Sequence, residues 1–201
     1  MDHIDELARA LAHLPGIGPR QGKRFVYHLL ATPPAERTRL AELIAGLGAK
    51  VRQCPECQRF YTESAAHGSC RYCSDATRDA TLLMLVEKDQ DLAAIERAGT
   101  YKGRYFVLGG TLTLSGKGAI RERELATLIE KRLVDGLREV VLALGATSEG
   151  EHTADHVRGL LAPYRSRLTI STLGRGLATG SELEYSDAET LRAALAGRKE
   201  A

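Results

Sequence analysis

Tryptophan is absent from this 201-residue sequence, and seven tyrosines with three phenylalanines are its only aromatic side chains. A stacking platform for single-stranded nucleic acid needs exposed rings, so that mode of binding is excluded as the principal one. A large excess of either charge is also missing: 28 Lys and Arg oppose 26 Asp and Glu, a net of +2. This excludes a histone-like, charge-dominated binder, and any nucleic-acid site must be local. No apolar run nears the roughly 18 residues needed to span a bilayer, and Val140 to Leu144 is typical of the longest. The stretch from Met1 to Arg9 is acidic where a secretory signal would be basic, and no apolar segment follows it. These features predict a cytoplasmic protein with no membrane partner. Cysteine is scarce, and four thiols in a reducing compartment read as metal ligands or free thiols rather than disulfides.

With 43% hydrophobic and 27% charged residues, the composition is that of a soluble globular protein of one or two compact domains. The charge is unevenly distributed. Residues 1–52 carry eight basic and five acidic side chains (+3), residues 53–78 three of each, and residues 79–201 seventeen and eighteen (−1). Ile4, Leu7, Leu11 and Leu14 recur at helical spacing, and a second helix is predicted from Arg20 to Leu30 with Phe25, Val26, Leu29 and Leu30 as its apolar face. Between them, Pro15-Gly16-Ile17-Gly18-Pro19 permits a tight hairpin and a helix start at the second proline. Thr32-Pro33-Pro34 ends that helix, and Leu40, Leu43, Ile44 and Leu47 mark a third.

From Leu82 onward strands alternate with helices: strands at 82–86, 104–108, 139–144 and 168–172, helices at 89–98, 121–133, 153–161 and 187–195. Mostly apolar strands separated by helices predict a mainly parallel sheet covered on both faces.

All four cysteines fall between these regions. Cys54-Pro55-Glu56-Cys57 and Cys70-Arg71-Tyr72-Cys73 form two chelating knuckles twelve residues apart, the pattern of a closed, structural, tetrahedral Zn²⁺ site with one ion per chain. Redox-active pairs or unligated thiols are the alternative. His67 is read as an ordinary exposed histidine, because four cysteines already complete the shell. Arg52, Arg59, Arg71 and Arg78 are placed to offset the local charge of about −2 on a tetrathiolate zinc centre. On this reading the metal replaces a hydrophobic core for a segment too short to build one.

Leu14-Pro15-Gly16-Ile17-Gly18-Pro19-Arg20 resembles the helix-hairpin-helix motif of DNA-binding proteins. Gly16 and Gly18 let the backbone approach a phosphate, and the amides and dipole at the start of the second helix favour the anion. Arg20, Lys23 and Arg24 share one face behind the turn and add cations that read backbone rather than base sequence. A plain helical hairpin with a solvated basic face is the alternative.

Chemistry on a parallel sheet sits beyond the carboxyl ends of its strands. Glu87 follows the first strand of the sheet, and Glu149-Gly150-Glu151 is expected on a short loop after the third, converging on one rim. The pattern resembles the Toprim fold of topoisomerases and primases, whose Asp-x-Asp metal pair would fall here on Gly145 and Thr147. Without those carboxylates, phosphoryl transfer on Mg²⁺ is not expected. Glu87 and Glu149 then hold a weak Mg²⁺, meet a protein partner, or are solvated ends of strands.

In this order, hairpin, cysteine knuckles and Toprim-like domain resemble the bacterial recombination mediator family RecR across nearly the whole chain. Further matching segments are Ala94-Ile95-Glu96-Arg97, Tyr101-Lys102-Gly103, Glu149-Gly150-Glu151-His152-Thr153-Ala154 and Leu183-Glu184-Tyr185-Ser186-Asp187. The resemblance implies a non-enzymatic, ring-shaped DNA clamp, tetrameric, that loads recombinase onto gapped DNA with RecO- and RecF-type partners. It also implies that Arg20 and Arg24 line the DNA channel. The expected architecture is α+β and multidomain: a helix-hairpin-helix module (1–52), a zinc knuckle (53–78), a Toprim-like α/β domain (79–173), and a C-terminal segment (174–201) that packs on a neighbouring subunit. A degenerate Toprim nuclease or primase, or a pure repair scaffold, are the rival functions. Departures from the family pattern are the longer zinc loop, Phe106, Thr113-Leu114 and Ala178.

Overall fold

The computed structural model describes residues 2–62, 68–115, 117–174, 176–177 and 180–198, so His67 and Ala178 lie outside the described residues. The chain divides into two compact units, Met1–Arg52 and Gln53–Ala201.

In the first unit, α1 (His3–Ala12) starts on Asp2, whose carboxylate accepts the Ile4 N–H at 3.2 Å. Asp5 and Glu6 add negative charge at the positive end of the helix. α2 (Pro19–Ala31) begins on proline, whose missing N–H is no loss at that position. The turn between them passes through Gly16 at φ +78°, a left-handed conformation that a side chain would strain. The two helices meet at Gly22, where a Cβ would fall 2.4 Å from the Ala8 carbonyl oxygen. α3 (Pro34–Ala45) and the short α4 (Leu47–Lys50) complete the unit.

The helices are where the periodicity predicts them, but their apolar faces are not buried as expected. Of the α2 face, Val26 is buried at 3% exposure while Phe25 and Leu30 stand open at 45% and 58%. Leu40, Leu43, Ile44 and Leu47 are all exposed, and α3 holds no buried residue. α1 and α2 cross through the small residues Ala8 and Gly22, which leaves too thin a core to cover them.

β1 (Val51–Gln53), whose last residue opens the second unit, and β2 (Phe60–Thr62) form a two-stranded ladder framing the first cysteine pair, and the one-turn α5 (Arg71–Ser74) carries the second. Then follow β3 (Asp79–Val86), α6 (Asp89–Ala98), β4 (Gly103–Val107), α7 (Glu122–Val134), β5 (Glu139–Ala143), α8 (Ser148–Leu161), β6 (Thr169–Thr172) and α9 (Ala188–Ala196). The sheet order is β4-β3-β5-β6, with every neighbouring pair parallel.

Strand alternation sorts the apolar side chains onto two faces. Leu83, Leu85, Phe106, Val140 and Leu142 pack with Leu125 and Ile129 of α7 and with Ala154 and Val157 of α8. Met84, Val86, Tyr105, Val107 and Ala143 pack on the other side with Leu92 of α6. Each fully buried large side chain contributes about 2 kcal/mol from area removed from water. Cys54, Cys57, Cys70 and Tyr72 belong to this second core. The knuckles therefore do not stand as a coreless segment held by metal alone, as the sequence suggested; they share the core of the sheet.

A second correction concerns Glu149. Helix α8 begins at Ser148, five residues earlier than the apolar pattern places it, because Thr147 caps it by accepting the Gly150 N–H at 3.1 Å. Glu149-Gly150-Glu151 is thus the first turn of a helix rather than a loop.

Candidate metal centre and nucleic-acid interface

The two knuckles bring the four thiols together. All four Sγ atoms lie within 4.8 Å of one another, with Cys57 and Cys70 Sγ at 3.5 Å. Four Zn–S bonds of about 2.3 Å in a tetrahedron set sulfurs roughly 3.8 Å apart, so this spacing fits Zn²⁺. It is far from a disulfide bond, and all four cysteines are free. Hydrogen bonding from Cys57, Cys70 and Cys73 holds the Cys54 thiol well below the usual range, whereas hydrogen bonding to the other three together with burial pushes Cys57 up. Cys54, Cys57 and Cys70 are buried.

Cations surround this cluster. Arg59, Arg71 and Arg78 each lie 4.6 to 4.7 Å from the ring centre of Tyr72, inside the second knuckle. Arg78 also pairs with Glu96 at 2.6 Å, and Glu96 accepts the Tyr105 hydroxyl at 2.6 Å. Burial works to raise the Glu96 carboxyl, but the Arg78 and Tyr105 contacts outweigh it and hold the group below the usual carboxylate value. Sequence reasoning anticipated the three arginines and missed Arg104, whose Nη1 donates to the Tyr72 carbonyl at 2.9 Å and to that of Cys73. An arginine inside a predicted strand carries no signal that its acceptors are backbone carbonyls of the distant α5.

At the hairpin, Gly18 is the N-cap of α2 in an extended conformation and supplies no side-chain cap, so the first amides of the helix are left to outside partners. A Cβ on Gly18 would meet nothing within 4 Å. The fold itself does not require glycine there, unlike at Gly16 and Gly22. Arg20 and Arg24 are exposed, and Arg24 donates to Gln21 at a long 3.4 Å. Lys23 differs: its ammonium pairs with Asp5 of α1 at 2.9 Å, a hydrogen bond that raises its pKa above the ordinary lysine value. Two of the three anticipated cations face outward, and the third ties α2 to α1.

At the rim of the sheet the two glutamates take different roles. Glu87 follows β3, and its carboxylate accepts the Gly145 N–H at 2.5 Å. Gly145 in turn lies against Gly150, where a Cβ would fall 2.0 Å from the Gly145 carbonyl oxygen. The glutamate-glycine pair after β5 thus has a packing role. Glu149 is exposed on the first turn of α8, and its carbonyl accepts the hydroxyl of Thr153, which itself accepts the Leu112 N–H at 2.9 Å. Among the described residues, the cysteines are the only set of three or more cysteine, histidine or carboxylate side chains close enough to hold a metal.

Comparison with known proteins agrees with this architecture. A family model described as Toprim domain matches residues 81–173, one described as RecR, helix-hairpin-helix matches residues 4–47, and one described as RecR, C-terminal matches residues 176–199. Curated relatives named Recombination protein RecR include those of Acidothermus cellulolyticus (40% identical, spanning 99% of this chain and 95% of the relative), Nocardioides sp. (41%, 100% and 96%) and Mycobacterium tuberculosis (40%, 98% and 95%). Fold and sites define a mixed α/β protein with a helix-hairpin-helix region, a four-cysteine cluster and a Toprim domain built on a parallel four-stranded sheet. The chain belongs to the RecR family of recombination proteins. Among the described residues, no helix is long and apolar enough to cross a membrane.

Proposed function

We propose that this protein is a non-enzymatic mediator of recombinational DNA repair. It binds double-stranded or gapped DNA without sequence preference, acts as a tetrameric ring, and helps RecO- and RecF-type partners load recombinase. One Zn²⁺ per chain is held by Cys54, Cys57, Cys70 and Cys73. The observation that carries the reading is the start of α2, where an uncapped helix N-terminus, an unencumbered Gly18 and the exposed Arg20 and Arg24 form an anion-binding surface. Contacts of this kind position a protein on phosphates and carry no base information.

Assembly compensates for the small charge of one chain. Four copies of a +3 module around a single channel would bring about +12 to the duplex and concentrate counterion release there. The exposed leucines of α3, and a groove of ≈ 690 Å³ lined by Leu11, Leu14, Phe25, Leu29 and Leu40, are apolar surface that self-association would cover. The absence of carboxylates at Gly145 and Thr147, and the engagement of Glu87 with a backbone amide, support a domain retained for binding rather than phosphoryl transfer. The test is solution mass with and without gapped duplex: a tetramer that takes up DNA is expected, and a monomer that fails to bind at low salt would overturn the reading.

A further inference from the structure

We propose that the metal site is a lock on one end of an edge strand: the first knuckle covers the outward-facing N–H of Val107 on β4, and losing the metal uncovers it. This rests on the Zn²⁺ reading above. In the order β4-β3-β5-β6, β4 is an edge strand. Leu108 N–H points inward to the Val86 carbonyl at 2.8 Å, so by strand alternation the N–H and C=O of Val107 point away from the sheet. Unpaired edge groups of this kind are templates for unwanted strand addition, and proteins shield them.

Here the shield is the first knuckle. Val107 N–H donates to the Cys57 carbonyl at 2.8 Å. The Val107 carbonyl accepts Arg121 Nη1 at 2.9 Å, and the same nitrogen donates to the Gln58 carbonyl at 3.0 Å. Gln58 is held at φ +62°, the left-handed conformation a side-chain-bearing residue adopts only when its surroundings enforce it. Further along the edge, the Gly103 carbonyl accepts Arg78 Nη1 at 3.1 Å. Arg132 pairs with Glu56 inside the first knuckle, and Arg104 grips the carbonyls of the second. The first knuckle is therefore fastened to α7 by Arg121 and Arg132 and the second to β4 by Arg104, while the metal fastens the knuckles to each other. Removing the ion frees the Cys57 carbonyl from its fixed place, and Val107 N–H loses its acceptor.

Hydrogen exchange on the full-length protein tests this. Elemental analysis comes first: zinc at one per chain supports the underlying reading, and protein purified without metal refutes that reading before the edge is in question. In zinc-loaded protein then stripped with a chelator, the Val107 amide is expected to exchange at least tenfold faster while those of 139–143 are unchanged. Acceleration confined to 53–78, or spread uniformly through β5, overturns the proposal. Arg104→Lys keeps the charge and loses the fork. Its zinc is expected to pass to a chromophoric chelator about tenfold faster, the usual scale for outer-shell substitutions, and an unchanged release rate overturns the coupling.

Discussion

Glu87 and Gly145 are joined across the crevice between β3 and β5, the carboxylate of the first accepting the amide of the second at 2.5 Å. One oxygen of this carboxylate thus accepts a backbone donor from the loop after β5. Glu87→Gln retains an acceptor but loses the charge, so stability is expected to fall by about 1 kcal/mol, measurable by urea denaturation. No Mg²⁺-dependent cleavage or priming is expected from the parent protein. Activity of that kind, abolished by Glu87→Gln, would establish the enzymatic alternative.

Arg20→Ala combined with Arg24→Ala is expected to weaken binding to gapped duplex and to reduce the slope of log K against log salt by about 2, one for each phosphate contact removed. Lys23→Ala should change the slope by much less, because its ammonium is already paired with Asp5. Fluorescence anisotropy over a salt series distinguishes the two, and an unaltered slope in the double variant would remove α2 from the DNA site.

Glycines 18 and 22 predict opposite phenotypes. A methyl at Gly22 would collide with the Ala8 carbonyl, so Gly22→Ala should destabilise the first unit by about 1 to 3 kcal/mol. At Gly18 the methyl meets open space, so Gly18→Ala should cost only the N-cap preference of glycine over alanine, under about 1 kcal/mol, and yet bind DNA less tightly. Thermal melts and binding isotherms on both variants check the pair; equal binding by Gly18→Ala and parent would contradict the close approach of a phosphate.

The Glu96 carboxyl gives a pH prediction. Its folded pKa is depressed, so the stability it contributes is fully present above the unfolded value of about 4.3 and is lost as pH falls through the lower folded value. The difference in melting temperature between parent and Glu96→Gln should be constant from pH 7 to about 5.5 and shrink in more acid solution. A difference that grows on acidification would mean the pKa is raised instead.

What was legible in the sequence was local. The pairing of cysteines depends on spacing within a few residues, and the hairpin on a run of five, so the clustering of Cys54 to Cys73 and the turn at Gly16 to Pro19 could be read directly. The α8 boundary was misplaced because apolar periodicity begins at Thr153, whereas the helix is started by the Thr147 hydroxyl and by the fit of Gly150 against Gly145. The Lys23–Asp5 pair and the acceptors of Arg104 and Arg121 were invisible for another reason. Each partner comes from a distant element, and most are backbone carbonyls that every residue possesses. The exposed faces of α2 and α3 show the remaining limit: periodicity reveals that a face is apolar, but not which surface covers it.

The covered edge at β4 also bears on how far assembly can run. A sheet that can add strands at both ends can polymerise without limit, but with the Val107 end of β4 engaged by the knuckle, β6 is the more open edge among the described residues. Any two copies joined there would present a knuckle at each outer end, so strand pairing would terminate at two chains rather than propagate into a fibre.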